Sequence, residues 1–243
     1  MLKGMKMIAA LFTLFLPVTF VTSPLLTAPF SGFRADQLPV PQITPPIQPA
    51  GYAFAIWGLI YGWLAASALF GIWKRREDPA WDRARWPLIV SLGVGTPWLA
   101  IANTSAVWAT IMIFLMALGA ILALIRAPSH DIWLFSIPVG IYAVRLTADS
   151  FVAIGSPEDG FDLITDQVGW AYLGILGALS VAAPVVLKTG AVSYGVTVIW
   201  ALAGICVANG LQIWTVTALA AAGIVVLSGL IATTRATGRA VPS

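Results

Sequence analysis

The run Val107–Ile125 reads VWATIMIFLMALGAILALI, with no charged side chain anywhere in it. A helix of roughly 20 such residues crosses the ~30 Å hydrocarbon layer of a bilayer. It satisfies its own backbone polar groups and offers lipid only apolar side chains. Seven further stretches fit the same ruler: Met5–Leu26, Tyr52–Trp73, Trp86–Asn103, Ile132–Ala153, Val168–Leu187, Ala191–Asn209 and Ile213–Thr233. Composition agrees, since 59% of the residues are hydrophobic and only 9% are charged. A soluble domain carries about 25% charged residues. A soluble enzyme, a nucleic-acid-binding domain and a disordered chain are therefore excluded. The sequence predicts an all-α integral membrane protein with eight transmembrane helices.

Cations in the connections give an independent check, because Lys and Arg concentrate on the cytoplasmic side. With eight spans, Lys3, Lys6, Lys74, Arg75, Arg76, Arg83, Arg85, Arg126, Lys188, Arg235 and Arg239 share one side. Only Arg34 falls opposite and only Arg145 within a span, while Glu158, Asp159, Asp162 and Asp166 cluster on the far side. The reading is multi-pass, with both termini cytoplasmic. The short links near Thr104–Ser105 and Gly210 imply antiparallel neighbours. Lys3 and Lys6 before an apolar run also suit a signal peptide, but the residues up to Leu26 hold no clear small-x-small cleavage site. The first span is expected to stay.

Recognisable catalytic constellations are missing. The sole cysteine, Cys206, lies in an apolar run, and the sole histidine, His130, lies in a connection at a membrane edge. A protein-built zinc, haem or iron–sulfur site needs more ligands of those types. No metal or cofactor is expected.

Within the fifth span, Arg145 and Asp149 stand i,i+4 and can pair on one helical face. Each central charge costs about 2.5–3.5 kcal/mol on the insertion scale, roughly cancelling what the apolar residues of that span contribute. This helix should turn its charged face inward. Either the pair locks span five to a neighbour, or it anchors a ligand group, as intramembrane charge commonly does. Trp57 and Tyr61 share a face one turn apart, with Phe54 nearby, and could pack helices or line a slot for a flat ring. Trp73, Trp81, Trp86 and Trp133 suit an interfacial belt. Gly58, Gly62 and Ala66 allow close helix approach, expected within the chain, with oligomerisation the alternative. Val139, Tyr142 and Arg145 meet a loose sterol-contact pattern of little specificity. The segment 27–51 carries Pro29, Pro39, Pro41, Pro45, Pro46 and Pro49; it is either a stiff linker or a cover over an outward-facing pocket.

The stretch Pro49-Ala-Gly-Tyr-Ala-Phe-Ala-Ile-Trp57-Gly-Leu-Ile-Tyr61 resembles the entry to the second helix of the TspO/MBR family of tryptophan-rich sensory or translocator proteins. Thr96-Pro97-Trp98 is similar to the family's third-helix tryptophan, and Pro138 and Tyr142 follow in similar order. The likeness covers roughly residues 5–155; Gly95 stands where the family has Asn, and three spans follow. It implies a five-helix bundle over 1–155, capped by the proline-rich loop 27–51, with 156–243 a three-helix extension. It also implies binding of porphyrins, and in some members sterols, by proteins described as transporters, sensors or agents of porphyrin breakdown. Trp57, Tyr61, Trp98 and Tyr142 would then be pocket or packing aromatics.

Three readings result. The first is a receptor or transporter for a hydrophobic, planar, anionic ligand such as a porphyrin, with Trp57, Tyr61, Trp98 and Tyr142 as contacts, Arg145 as counter-charge and Asp149 beside it. The second is an intramembrane enzyme acting on a lipid or isoprenoid through Asp149; the third is a structural membrane protein. Membrane lipids are expected partners and nucleic acid is not.

Overall fold

The computed structural model describes residues 2–27, 46–47, 50, 52, 55–160 and 166–236. Most of the proline-rich segment, with Arg34, and also Phe54, Asp162 and Arg239, lie outside the described residues. The described chain is helical: α1 (Leu2–Leu26), α2 (Ile56–Lys74), α3 (Pro79–Gly95), α4 (Trp98–Ala102), α5 (Ala106–Ile125), α6 (Ser136–Gly160), α7 (Gln167–Thr189), α8 (Val192–Asn209) and α9 (Trp214–Ala236). Of these, α2, α5, α7, α8 and α9 are long and apolar enough to cross a bilayer. Their outward residues are large and apolar, as with Trp108, Leu115, Leu118, Leu176 and Val225. A water-facing surface would not carry so many.

Helix α6 is the axis. Every residue from Pro138 to Thr147 is buried, and the helix packs against α2, α5, α7 and α8. A helix buried on all sides belongs inside a bundle. Two of the last three helices, α7 and α8, are thus applied directly to α6, and α9 packs closely on α8. On the other side α5 lies against α3, where Gly119 permits contact: a Cβ there would come within 2.8 Å of the Pro87 carbonyl oxygen.

Three helices begin well inside or outside the hydropathy bounds, and α2 is one of them, starting at Ile56 and not Tyr52. The third span starts at Pro79, not Trp86, because the Asp78 carboxylate accepts from the amides of Ala80 (2.8 Å) and Trp81 (3.4 Å) with Pro79 at the first helical position. Such capping fixes a helix start whatever the hydropathy. Its far end breaks at Thr96-Pro97, leaving α4 as a separate short helix. The fifth span starts at Ser136, not Ile132. Here Asp131 takes φ 61°, and its carbonyl accepts from Leu134 and Phe135 in a turn that precedes the helix. At its other end α6 runs on to Gly160, so Glu158 and Asp159 are helical.

That earlier start of α3 changes the role of two residues. Arg85 is fully buried and closes the end of α2, its Nη2 donating to the carbonyls of Gly71 (3.0 Å) and Arg75 (2.7 Å) and its Nη1 to Asp82 (2.6 Å). A cation on orphan C-terminal carbonyls stabilises a helix end. Trp81 is not in an interfacial belt: it is 1% exposed, packs edge-on to Phe135 (4.7 Å) and donates its indole N–H to Asp131 (3.1 Å). Trp73, Trp86 and Trp133 are exposed. Gly58, Gly62 and Ala66 do not meet another helix among the described residues. All three are exposed, and a Cβ at either glycine would meet nothing within 4 Å. The buried residues of α2 (Ile60, Leu64, Ser67, Gly71) recur at helical spacing on a different face.

Asp131 clips the entry of α6 to the α2–α3 connection. Its carboxylate takes Arg75 Nε at 2.6 Å and Nη2 at 3.1 Å, while His130 Nε2 lies 2.7 Å from Asp78. The Arg75 guanidinium holds the Asp131 carboxyl below its usual range, against partial burial and with help from Trp81. For Asp78, burial pushes upward, but His130 and the capped amides of α3 outweigh it and the net shift is downward. A carboxylate whose pKa is lower folded than unfolded stabilises fully above the ordinary carboxylate range, and that stabilisation disappears as pH falls through the depressed value. Thermal unfolding in detergent should therefore show midpoints dropping below about pH 4, with a shallower drop and a lower neutral-pH midpoint in Asp131→Asn. Parallel curves at equal height would show that the clip contributes nothing.

Candidate functional site

Water is scarce where α6 is enclosed, so an ionised side chain there needs a partner. Arg145 and Asp149 lie one turn apart and pair at 2.9 Å (Nη2 to Oδ1), their side chains 4% and 18% exposed. The pair is net neutral. The Arg145 guanidinium carbon also stands 5.9 Å from the Trp57 ring centroid, within cation–π range.

Around Trp57 the rings form one cluster. Trp57 and Tyr61 are 5.3 Å apart and tilted by 31°. Phe20 of α1 meets Trp57, Tyr61 and Tyr142 edge-on at 6.1, 5.4 and 5.8 Å. Edge-to-face contacts of this kind add about 0.5–1.5 kcal/mol beyond area burial. Tyr142 is wholly buried, its hydroxyl 3.1 Å from Ser91 Oγ. Ser91 donates its one hydroxyl proton to the Met116 carbonyl at 2.7 Å, so Tyr142 is the donor to Ser91. Trp98 takes a different position at the start of α4, where its indole N–H donates to the Ala109 carbonyl of α5 at 2.9 Å.

A cavity of about 40 Å³ opens against the same ion pair, between α6, α7 and α8. Arg145, Thr147 and Asp149 line it from α6; the other walls are aliphatic or aromatic and include Phe151, Ala178 and Ala201. Trp57, Tyr61, Trp98 and Tyr142 do not line it. Ile47 also lines it, lying so near Gly174 that a Cβ there would overlap Ile47 Cδ1. This part of the proline-rich segment is fastened to α8: Asn209 Nδ2 donates to the Pro46 carbonyl (2.7 Å), and the Ala50 amide donates to the Gly204 carbonyl (3.1 Å). Tyr52 adds an edge-on contact with Trp200 at 5.4 Å.

The sequence profile of a family described as TSPO-like protein matches residues 7–232. The chain belongs to the TSPO-like family. No curated protein and no solved structure matches it. The matched stretch runs past residue 155 and takes in α7, α8 and most of α9, the helices read from the sequence as additions to the likeness.

In this TSPO-like chain five of the six sequence-derived residues come together, Trp57, Tyr61, Tyr142, Arg145 and Asp149; Trp98 is placed on α4. Two of their neighbours escape sequence reasoning. Phe20 joins the rings and Ile47 lines the cavity, and neither carries a sequence signal beyond being apolar. Val139, Tyr142 and Arg145, which meet the sterol pattern, are all buried and present no surface to bilayer sterol.

Removing one member of a buried ion pair costs about 3–5 kcal/mol, whereas replacing both with apolar groups is often neutral or better. Arg145→Met and Asp149→Leu should each lower unfolding stability by that order, and the double variant should lie closer to the native protein than either. A double variant no more stable than the worse single one would dissolve the pair as an energetic unit.

Proposed function

We propose that this TSPO-like membrane protein is a receptor or transporter for a hydrophobic ligand, with the Arg145–Asp149 pair as the polar anchor. The observation that carries the reading is an ion pair retained deep among apolar helices, flanked on one side by clustered rings and on the other by a cavity. Ionisable groups kept at that depth are expensive, and they characteristically mark ligand or ion paths. A planar ligand such as a porphyrin would stack on Trp57 and Tyr61, its polar edge toward the Arg145 guanidinium that faces the Trp57 ring. On this reading the described state is closed: the rings rest on one another, and a pocket for a drug-sized ligand needs about 300–1,000 Å³. Titration with protoporphyrin, followed by quenching of tryptophan fluorescence, should give saturable binding. Trp57→Ala and Arg145→Ala should each weaken it by about tenfold or more, the loss of roughly 1.4 kcal/mol of contact. Unchanged affinity in both variants would remove this site.

The receptor would cross the bilayer eight times, with its cationic end and both termini in the cytoplasm. In a Cys206→Ser background, cysteines introduced at Ala80 and Gly160 should react with an impermeant maleimide from opposite sides of sealed vesicles. Labelling of both from one side would overturn the topology.

A further inference from the structure

We propose that the cavity on the α7–α8 side of Arg145 and Asp149 is a binding site for a neutral, straight-chain amphiphile. Its hydroxyl head would meet the ion pair, and its tail would take the place held by Ile47. The inference rests on the proposed role of the pair as polar anchor, and concerns a different face of it from the rings.

The head follows from charge. Arg145 and Asp149 are the only ionisable residues lining the cavity among the described residues, and at 2.9 Å they neutralise each other. A carboxylate entering here would set a second negative charge beside Asp149 where little water screens it. A hydroxyl brings no charge, accepts from the guanidinium and donates to the carboxylate. The tail follows from shape. Small residues of α7 and α8, among them Gly174, Ala178 and Ala201, leave a slot whose apolar walls are aliphatic apart from Phe151. One aliphatic chain already sits in it: Ile47 lies against Gly174 in space that no Cβ could share. Ile47 is held through its neighbours, Pro46 accepting from Asn209 and Ala50 donating to Gly204, both on α8. A tail can therefore replace it if that short segment shifts, with the ring cluster left as it is.

The probes are tritiated oleyl alcohol and tritiated oleate, in equilibrium binding to the full chain in phosphatidylcholine nanodiscs, free of hydroxyl-headed detergent, at pH 7.5. Oleyl alcohol should bind saturably and oleate about tenfold more weakly, the discrimination coming from the charge mismatch. Ile47→Ala should tighten oleyl alcohol binding by about three- to tenfold, because the occupied fraction of the slot no longer subtracts from affinity. Ala178→Leu, which fills the cavity from its α7 wall, should weaken it by about tenfold or more. Asn209→Ala serves as a second way to loosen Ile47 and should also tighten binding. Failure of oleyl alcohol to bind the native chain, equal binding of oleate, or indifference to both Ile47→Ala and Ala178→Leu would each overturn the proposal. Protoporphyrin quenching that still depends on Arg145 in that event would leave the anchor reading standing. Loss of dependence on Arg145 for both probes would end both.

Discussion

An arginine and an aspartate in the middle of an apolar helix must be kept from lipid, and the rest of the bundle is arranged around that requirement. Helix α6 is the one that carries them, and it is the one enclosed by α2, α5, α7 and α8. Outer helices carry the opposite pattern, apolar toward lipid with small residues at their contacts. On α6 itself, Gly140 lies where a Cβ would be 2.9 Å from Ser193 Oγ of α8. Close approach by small residues is how helices associate where no water drives them together.

Charge at the cationic end is divided between two uses. Arg75 and Arg85 are spent internally, on Asp131 and on the final carbonyls of α2. Arg76, Arg83, Arg126, Lys188 and Arg235 are exposed. Sequence counting treats all these cations alike, yet Arg85 is fully buried and has no surface with which to answer to the field and lipids outside. The internal group instead ties the end of α2 to α3 and to the turn that precedes α6.

Hydropathy on the length scale of a bilayer points to a long helix in each of the eight stretches among the described residues, five of them long and apolar enough to cross, because lipid imposes one solvent on the outer surface. It fails at the starts of α3 and α6, where Asp78 and Asp131 decide through hydrogen bonds that no hydropathy window registers. The ion pair is legible because two opposite charges one helical turn apart stand out in an apolar run. Trp57 and Tyr61 are legible because spacing alone puts them on one face. Phe20 and Ile47 are not, since contact between two apolar residues far apart in sequence leaves no local mark. The Gly58, Gly62 and Ala66 stripe is legible as a stripe but not in direction: the register of α2 is set by Ile60, Leu64 and Gly71, which turn inward.

The hydrogen bond from Asn209 to the Pro46 carbonyl joins residues 163 positions apart. During synthesis the first five long helices can be inserted and packed while the stretch 46–50 still has nothing to hold it. Its partner leaves the ribosome only after α7 and most of α8. The chamber beside Arg145 is thus among the last features to be completed, and a nascent chain stalled after α6 would present its buried arginine to the bilayer on the side that α7 and α8 later cover.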